Sequence, residues 1–157
     1  MPESLRTRVA RHRLNLFPAF RGCGGRVTYV ADDWREVRVA LPLGWRTRNY
    51  VGTIYGGSMY GVVDPIYMVM LIHVMGPGYV VWDKAGSIRF RKPGRSTLHA
   101  RFRLEDGEVE AIRAATAGGQ PVDRTYRIEL VDREGTVHAE VEKVIHVRRR
   151  RPEDRAG

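Results

Sequence analysis

Cysteine is almost absent from this chain of 157 residues, and its five histidines are scattered singly. A disulfide needs two cysteines, whereas Cys23 stands alone. Zinc sites combine cysteines and histidines at short, characteristic spacings, which the sequence lacks. The composition therefore excludes a disulfide framework and a cysteine-based metal site, and we expect neither a metal nor a separate cofactor.

Long hydrophobic runs are also absent. The longest run, residues 62–75, is interrupted by Asp64 and His73 and is shorter than the roughly 20 residues that span a bilayer. The N-terminus has no apolar segment followed by a small-residue cleavage site. These observations predict a cytoplasmic protein without a membrane partner.

Lysine is scarce: Lys84, Lys92 and Lys143 are the only lysines among 27 basic residues, so the net charge of +9 comes mainly from arginine. A GC-rich genome produces this bias, although guanidinium groups also bind phosphate bidentately. We favour the compositional explanation, because net charge reports on solubility and steering rather than on chemistry. An acidic small molecule suits the charge better than nucleic acid, which we do not expect as a partner.

The N-terminal residues 1–20 predict an amphipathic helix that Pro18 ends. Its less polar face has residues spaced three or four apart, namely Leu5, Val9, His12 and Leu16. A basic helix of this kind can lie on a membrane surface. Because the apolar face is small, we expect it to pack against the domain instead.

The rest of the pattern predicts one α+β domain over residues 21–147. Segment 56–75 is apolar on nearly every side, and a helix without a polar face has to be enclosed by the remaining chain. Alternating apolar and polar residues predict the enclosing strands, at 26–30, 37–41, 88–91, 98–104, 126–130 and 137–147. We therefore expect an antiparallel sheet wrapped around a long central helix.

Three features interrupt this pattern. Lys143 breaks the apolar face of the last strand, so we expect a bulge there or a strand that leaves the core. Pro65 removes a hydrogen bond to the Gly61 carbonyl and predicts a kink next to Asp64. Residues 148–157 begin with four consecutive arginines and predict a disordered tail.

The loop before the central helix carries the residues most suited to chemistry. Gly56 and Gly57 allow a substrate carbonyl to approach the first helical turn, where unpaired amides and the positive dipole end favour an oxyanion. Asp64 lies two turns further, and a lone acid on a buried helix needs a cleft or a partner. We interpret the Gly57 amide as an oxyanion donor and Asp64 as a general base or nucleophile.

This stretch resembles a motif of the hot-dog thioesterases related to the phenylacetic-acid-pathway enzymes, N-x-x-G-x-x-H-G-G with an acidic residue seven positions later. Asn49, Gly52, Gly56, Gly57 and Asp64 match, and Tyr55 replaces the histidine. Segment 83–93 resembles the strand of that family that ends in a basic residue and a proline. Within the superfamily, the chain is similar to the branch known as DUF4442.

The resemblance implies a hot-dog dimer, in some cases paired into a tetramer, that hydrolyses acyl-CoA or a related acyl thioester. Coenzyme A would enter as part of the substrate. Asn49 would orient the attacking water or the carbonyl, and Asp83 would be a second polar catalytic residue on the facing strand. Tyr55 and Gly56 would contact the substrate. A basic group would hold the phosphates of coenzyme A: Arg89, Arg91, Lys92 and Arg95.

The residues also permit simpler interpretations. Asn49 fits a turn equally well, Asp83 fits a surface ion pair with Lys84, and the basic group fits a solvated strand face. If Pro65 turns Asp64 away from the pocket, the protein would bind acyl-CoA or lipid without hydrolysing it. Catalysis and binding alone therefore remain two hypotheses at this point.

Overall fold

The computed structural model describes residues 3–155. The helices are α1 (Leu5–Leu16), α2 (Pro18–Gly22), α3 (Gly56–Val63), α4 (Ile66–Met75) and α5 (Glu108–Ala115). The strands are β1 (Arg26–Val30), β2 (Glu36–Leu41), β3 (Tyr79–Phe90), β4 (Leu98–Arg103), β5 (Val122–Val131) and β6 (Val137–Arg149), followed by a 3-10 turn at Pro152–Arg155. The N-terminal helix, the central helix and the six strands predicted from the sequence are all present.

The strands form one antiparallel sheet in the order β1-β2-β4-β5-β6-β3. Strands β4 and β5 pair only at His99 and Val131, so the sheet opens between them. Helices α3 and α4 pack against β2, β3 and β6, and the core between them is almost fully shielded from solvent. The predicted α+β architecture, a sheet wrapped around a central helix, is confirmed.

The central helix is interrupted at Asp64 and Pro65, as predicted. Asp64 keeps helical dihedral angles (φ −46°, ψ −54°), and its amide still donates to the Tyr60 carbonyl at 2.9 Å. Within the described part of the chain, Gly56–Met75 is the one helical stretch long and apolar enough to cross a membrane, and half of it is buried in the domain. This enclosure is typical of a core helix.

The two edges of the sheet differ. Helix α1 covers the β1 edge: the Asn15 side chain accepts from the Val27 amide at 2.7 Å and donates to its carbonyl at 2.9 Å. Glu3 Oε1 also accepts from the Val30 amide at 3.3 Å. No strand among residues 3–155 pairs with the outer side of β3. Unpaired backbone groups therefore remain along β3, where another chain can add a strand.

The predicted packing face of α1 is wrong. Leu5, Val9 and Leu16 face solvent, with exposed fractions of 75%, 46% and 67%, whereas Thr7 on the opposite side is fully buried. The hydrogen bonds from Asn15 to β1 set the rotation of the helix. The small apolar stripe does not supply enough burial energy to override them.

The C-terminal arginines differ from the predicted disordered tail. Strand β6 continues to Arg149, two residues beyond the predicted boundary at 147. Arg148 forms a two-point ion pair with Asp154 at 2.6 and 2.8 Å, and the Arg150 amide donates to the Gly78 carbonyl at 2.8 Å. These bonds fold the segment back onto the domain. Residues 1, 2, 156 and 157 lie outside the described residues.

Candidate active site

Lys143 lies at the centre of the candidate site, although no functional role was predicted for it. Strand β6 continues through it without a bulge, and its side chain points into the core between Val141 and Ile145 with 1% exposure. The irregularity lies instead on the neighbouring strand β3, between Asp83 and Ala85. The predicted bulge at Lys143 is therefore wrong, because carboxylates compensate the buried charge and the strand need not leave the core.

Two carboxylates and a phenol surround the Lys143 ammonium. Its Nζ donates to Asp64 Oδ1, donates to Tyr60 Oη at 3.3 Å and lies 3.0 Å from Asp83 Oδ1. The cluster thus connects the break in the central helix with β3 and β6. Asp64 has 43% of its side chain exposed and Asp83 has 22%, so the cluster opens to solvent at Asp64.

The electrostatics of the cluster are dominated by burial and by the single ammonium. Burial raises the pKa of Asp83, and the Lys143 ammonium only partly offsets this effect. Burial alone would lower the pKa of Lys143, but hydrogen bonds to Asp64, Asp83 and Tyr60 outweigh it and raise that pKa. Lys143 therefore stays cationic across the physiological range, and Asp83 takes up a proton more readily than an exposed aspartate does.

The first turn of α3 presents free amides at the predicted oxyanion position. The Ser58 and Met59 amides both donate to the Tyr55 carbonyl, at 3.0 and 3.1 Å. For the amides of Gly56 and Gly57, no backbone acceptor is found in the described part of the chain. The positive end of the helix dipole reinforces these donors, so the turn can bind a developing negative charge.

Aromatic side chains flank both glycines. A Cβ atom at Gly56 would lie 2.7 Å from Phe90 Cζ, and a Cβ atom at Gly57 would collide with the Tyr55 ring. Both rings are more than half exposed. Tyr55, predicted to contact substrate, therefore lies directly beside the predicted oxyanion donor.

Asn49 holds the loop that precedes the helix. Its Oδ1 accepts from the amides of Val51 and Thr53 at 3.1 and 2.9 Å, and its Nδ2 donates to Thr53 Oγ1 at 2.9 Å. The same loop is fastened to the β3–β4 turn, because the Ile54 amide donates to the Gly94 carbonyl at 2.9 Å. These bonds fit a turn residue, and an orienting role for Asn49 in catalysis stays a prediction.

The four residues of the predicted phosphate-binding group lie in two different environments. Arg91 forms a two-point ion pair with Glu140 at 3.0 and 2.8 Å, and Arg89 is in register with the same glutamate. Lys92 and Arg95 are exposed and have no carboxylate partner within residues 3–155. Lys92 and Arg95 are therefore better placed than Arg91 to meet an anionic ligand.

Sequence reasoning missed Tyr60 and the role of Lys143. Tyr60 lies four residues before Asp64, a spacing that places both on one helix face. Lys143 occupies an inward register position in an otherwise apolar strand. A buried lysine needs an acidic partner. Asp64 and Asp83 had no predicted cationic partner in the core, so a contact with Lys143 could have been predicted.

Comparison with known proteins supports the fold. A family model described as Domain of unknown function (DUF4442) matches residues 6–147. A Pseudomonas aeruginosa protein of unknown function, named a probable thioesterase, is 21% identical, with a TM-score of 0.81 and coverage of 96% of this chain and 99% of that one.

Two further solved structures are each 15% identical. A Haemophilus influenzae thioesterase has a TM-score of 0.64, with 86% of this chain and 85% of that chain covered. The E. coli PaaI protein of the phenylacetic acid degradation operon has a TM-score of 0.62, with 89% and 91% covered. No curated protein matches the sequence. The structural likenesses confirm the predicted hot-dog fold.

Proposed function

The chain belongs to the DUF4442 family, and we propose that it is a thioester hydrolase that acts on acyl-CoA or a related acyl thioester. Two observations on α3 carry this proposal: the Gly57 amide is unpaired at the start of the helix, and the Asp64 carboxylate is half-exposed at its end. Solved structures named thioesterases share the fold, which makes the same chemistry a reasonable expectation.

The proposed reaction uses these two groups at opposite sides of the thioester carbonyl. The Gly57 amide donates to the carbonyl oxygen and stabilises the oxyanion of the tetrahedral intermediate. Asp64 takes a proton from the attacking water, or attacks the carbon itself as nucleophile. The C–S bond then breaks, and the thiolate leaves and takes up a proton. On the nucleophilic route the acyl group remains on Asp64 as a mixed anhydride, which a water molecule then hydrolyses. Both routes give a carboxylic acid and coenzyme A.

We expect the complete site to need two copies of the chain. Seven residues along a helix separate Gly57 from Asp64 by about 10 Å, whereas the reacting atoms have to approach to about 3 Å. When a thioester carbonyl is bound at the Gly57 amide of one chain, the Asp64 of a second chain can therefore reach it better than the Asp64 of the same chain. The unpaired edge of β3 offers a place for that copy, and the exposed Tyr50 and Val51 beside the site offer apolar surface for it.

The remaining predicted site residues take supporting roles in this proposal. Asn49 shapes the loop before Gly57, and Asp83 holds the Lys143 ammonium that contacts Asp64. Tyr55 borders the acyl entrance. Lys92 and Arg95, next to the Gly94 turn that fastens this loop, are free to bind the phosphates of coenzyme A.

A second candidate function is binding of acyl-CoA or lipid without hydrolysis. It is favoured by the contact between Lys143 and Asp64, because one Asp64 oxygen is already occupied by the ammonium. The Tyr55 ring beside Gly57 also restricts access to the oxyanion position.

Thiol release from short, long and aromatic acyl-CoAs tests both functions. The wild type is compared with Asp64→Asn and with Asp32→Asn, a matched change at an exposed aspartate on the β1–β2 turn. If the protein hydrolyses thioesters with Asp64 as base, turnover should fall at least about 100-fold in Asp64→Asn and stay unchanged in Asp32→Asn. Turnover in Asp64→Asn equal to that of the wild type would show that Asp64 is not the general base. Acyl-CoA binding without any turnover would establish the second function instead.

A further inference from the structure

Helix α1 carries an outward apolar surface that nothing in the described domain covers. We call it the outer face of α1, and it consists of Leu5, Val9, Leu16 and Phe17. Phe17, directly after the helix, is 59% exposed, and the three helical residues are exposed to a similar degree. Exposed aliphatic and aromatic side chains in one stripe mark an interaction surface more often than isolated ones do.

Arginines border this stripe on both sides. At 100° per residue, Arg6 and Arg13 lie on one flank of the outer face and Arg8 lies on the other. The nearby acid, Glu3, is engaged by Arg11 at 2.8 Å and lies 3.8 Å from Arg8. Arg6 and Arg13 have no carboxylate partner within residues 3–155. The flank with Arg6 and Arg13 is therefore cationic, whereas on the other flank Glu3 partly balances the charge of Arg8.

The outer face forms one wall of an open groove, which Leu5, Val9 and Phe17 line. The groove has a volume of about 930 Å³ and is lined mainly by apolar side chains of α1 together with Trp34 and His73. Arg6 and Arg13 border it as well. Apolar volume bordered by cations fits an amphiphile whose head group is anionic.

The position of α1 argues against a second copy as the occupant. Helix α1 covers the β1 edge, whereas the free edge of the sheet is β3 at the opposite end. A dimer formed through β3 leaves the outer face of α1 exposed. The four side chains also provide far less than the roughly 800 Å² per partner that a stable protein interface buries.

We propose that the outer face of α1 docks the protein onto the anionic surface of a lipid bilayer. The apolar stripe would enter the boundary between head groups and acyl chains, and the flanking arginines would bind lipid phosphates. The helix would lie in the membrane plane while the domain stays in water. The proposal is independent of the thioester chemistry, because the outer face and the candidate active site lie on different elements.

Vesicle flotation with the full chain tests this docking. The vesicles consist of phosphatidylcholine alone, or of phosphatidylcholine with about one third phosphatidylglycerol. Val9→Ser/Phe17→Ser removes apolar surface, and Arg6→Glu/Arg13→Glu reverses two flanking charges. Arg113→Glu/Arg133→Glu is the matched control, since it makes the same charge change at exposed arginines on α5 and on the β5–β6 turn. Circular dichroism melting confirms that each variant folds.

The expected result is binding to the anionic vesicles only, reduced at least about ten-fold by either α1 variant and by less than about two-fold in the control. No binding to anionic vesicles by the wild type overturns the proposal. Equal loss in the control, or no loss in Val9→Ser/Phe17→Ser, also overturns it, because attraction would then depend on net charge alone. If the wild type does not bind vesicles and Val9→Ser/Phe17→Ser changes the oligomeric state in light scattering, the outer face of α1 is a contact between copies instead.

Discussion

Lys143 donates a hydrogen bond to Asp64, although 79 residues separate them in the chain. The same ammonium lies 3.0 Å from Asp83 on the edge strand. One buried cation on β6 therefore links the break of the central helix to the edge strand β3. In the proposed reaction it also fixes the carboxylate that receives the proton from water, so stability and activity depend on the same contact.

Replacing Lys143 by methionine leaves Asp83 without its cation. We expect the free energy of unfolding at neutral pH to fall by about 3 kcal/mol, the cost of breaking a buried ion pair from one side. The loss should shrink as the pH approaches 4, because Asp83, whose pKa is already raised by burial, then takes up a proton. Urea unfolding at pH 7 and pH 4 measures both effects.

Lys143→Met/Asp83→Asn is the control for this interpretation, since it removes the stranded charge as well. The double variant should recover part of the lost stability at pH 7. Additive losses from the two changes would show that Lys143 and Asp83 are not energetically coupled.

Glu36 predicts a separate, acid-sensitive contribution to stability. Hydrogen bonds from Arg101 and Arg38 outweigh burial and lower the pKa of Glu36 from 4.5 to about 2. A lowered folded-state pKa stabilises the protein above pH 4.5, and this stabilisation is lost as the pH falls from 4.5 to 2. Allowing for solvent screening, we expect it to be on the order of 1–2 kcal/mol.

The measurement is the slope of unfolding free energy against pH in wild type and Glu36→Gln. The variant should be flatter between pH 4.5 and 2. Glu129→Gln is the matched control, because Glu129 is exposed on the same sheet. An unchanged slope in Glu36→Gln would show that other carboxylates dominate acid unfolding.

Gly57 is predicted to be required for its lack of a side chain rather than for helix formation. A Cβ atom there collides with the Tyr55 ring, so Gly57→Ala has to displace the ring or open the turn. We expect thioester turnover to fall at least about ten-fold, while stability is kept because alanine favours helix over glycine. Initial rates of thiol release and a thermal melt measure the two properties.

Gly57→Ala/Tyr55→Ala separates steric from electronic causes. If the collision with the ring is responsible, the double variant should regain turnover relative to Gly57→Ala. If the double variant stays as slow as Gly57→Ala, displacement of Tyr55 does not explain the defect.

The central architecture was predictable because local patterns determine it. Segment 56–75 has no polar face, so any stable fold has to enclose it, and the alternating strands provide the enclosure. The kink at Pro65 followed from its missing amide. These inferences depend on residues that are neighbours in sequence.

The errors arose where distant residues decide the outcome. Lys143 suggested an irregular strand because a buried cation is costly, and its two acidic partners come from other elements. The rotation of α1 similarly follows the hydrogen bonds between Asn15 and β1 rather than the spacing of Leu5 and Val9. Polar contacts of this kind leave no periodic signal in the sequence.

Oligomeric state provides the last prediction. Phe90, at the end of the free strand β3, contacts Gly56, so the exposed loop residues Tyr50 and Val51 belong to the same side of the domain as the unpaired edge. A second copy that pairs along β3 would cover them. The proposed dimer should therefore dissociate at a higher protein concentration in Tyr50→Ser/Val51→Ser than in wild type. Light scattering after size exclusion measures this.

Phe17→Ser is the matched control for the proposed dimer interface. It removes a similarly exposed aromatic ring at the opposite end of the sheet, next to the covered β1 edge. This variant should dimerise like wild type, because pairing along β3 does not involve α1. If Phe17→Ser dissociates the dimer and the loop variant does not, the copies meet through α1, and both the two-chain active site and the membrane-facing role of α1 would have to be abandoned together.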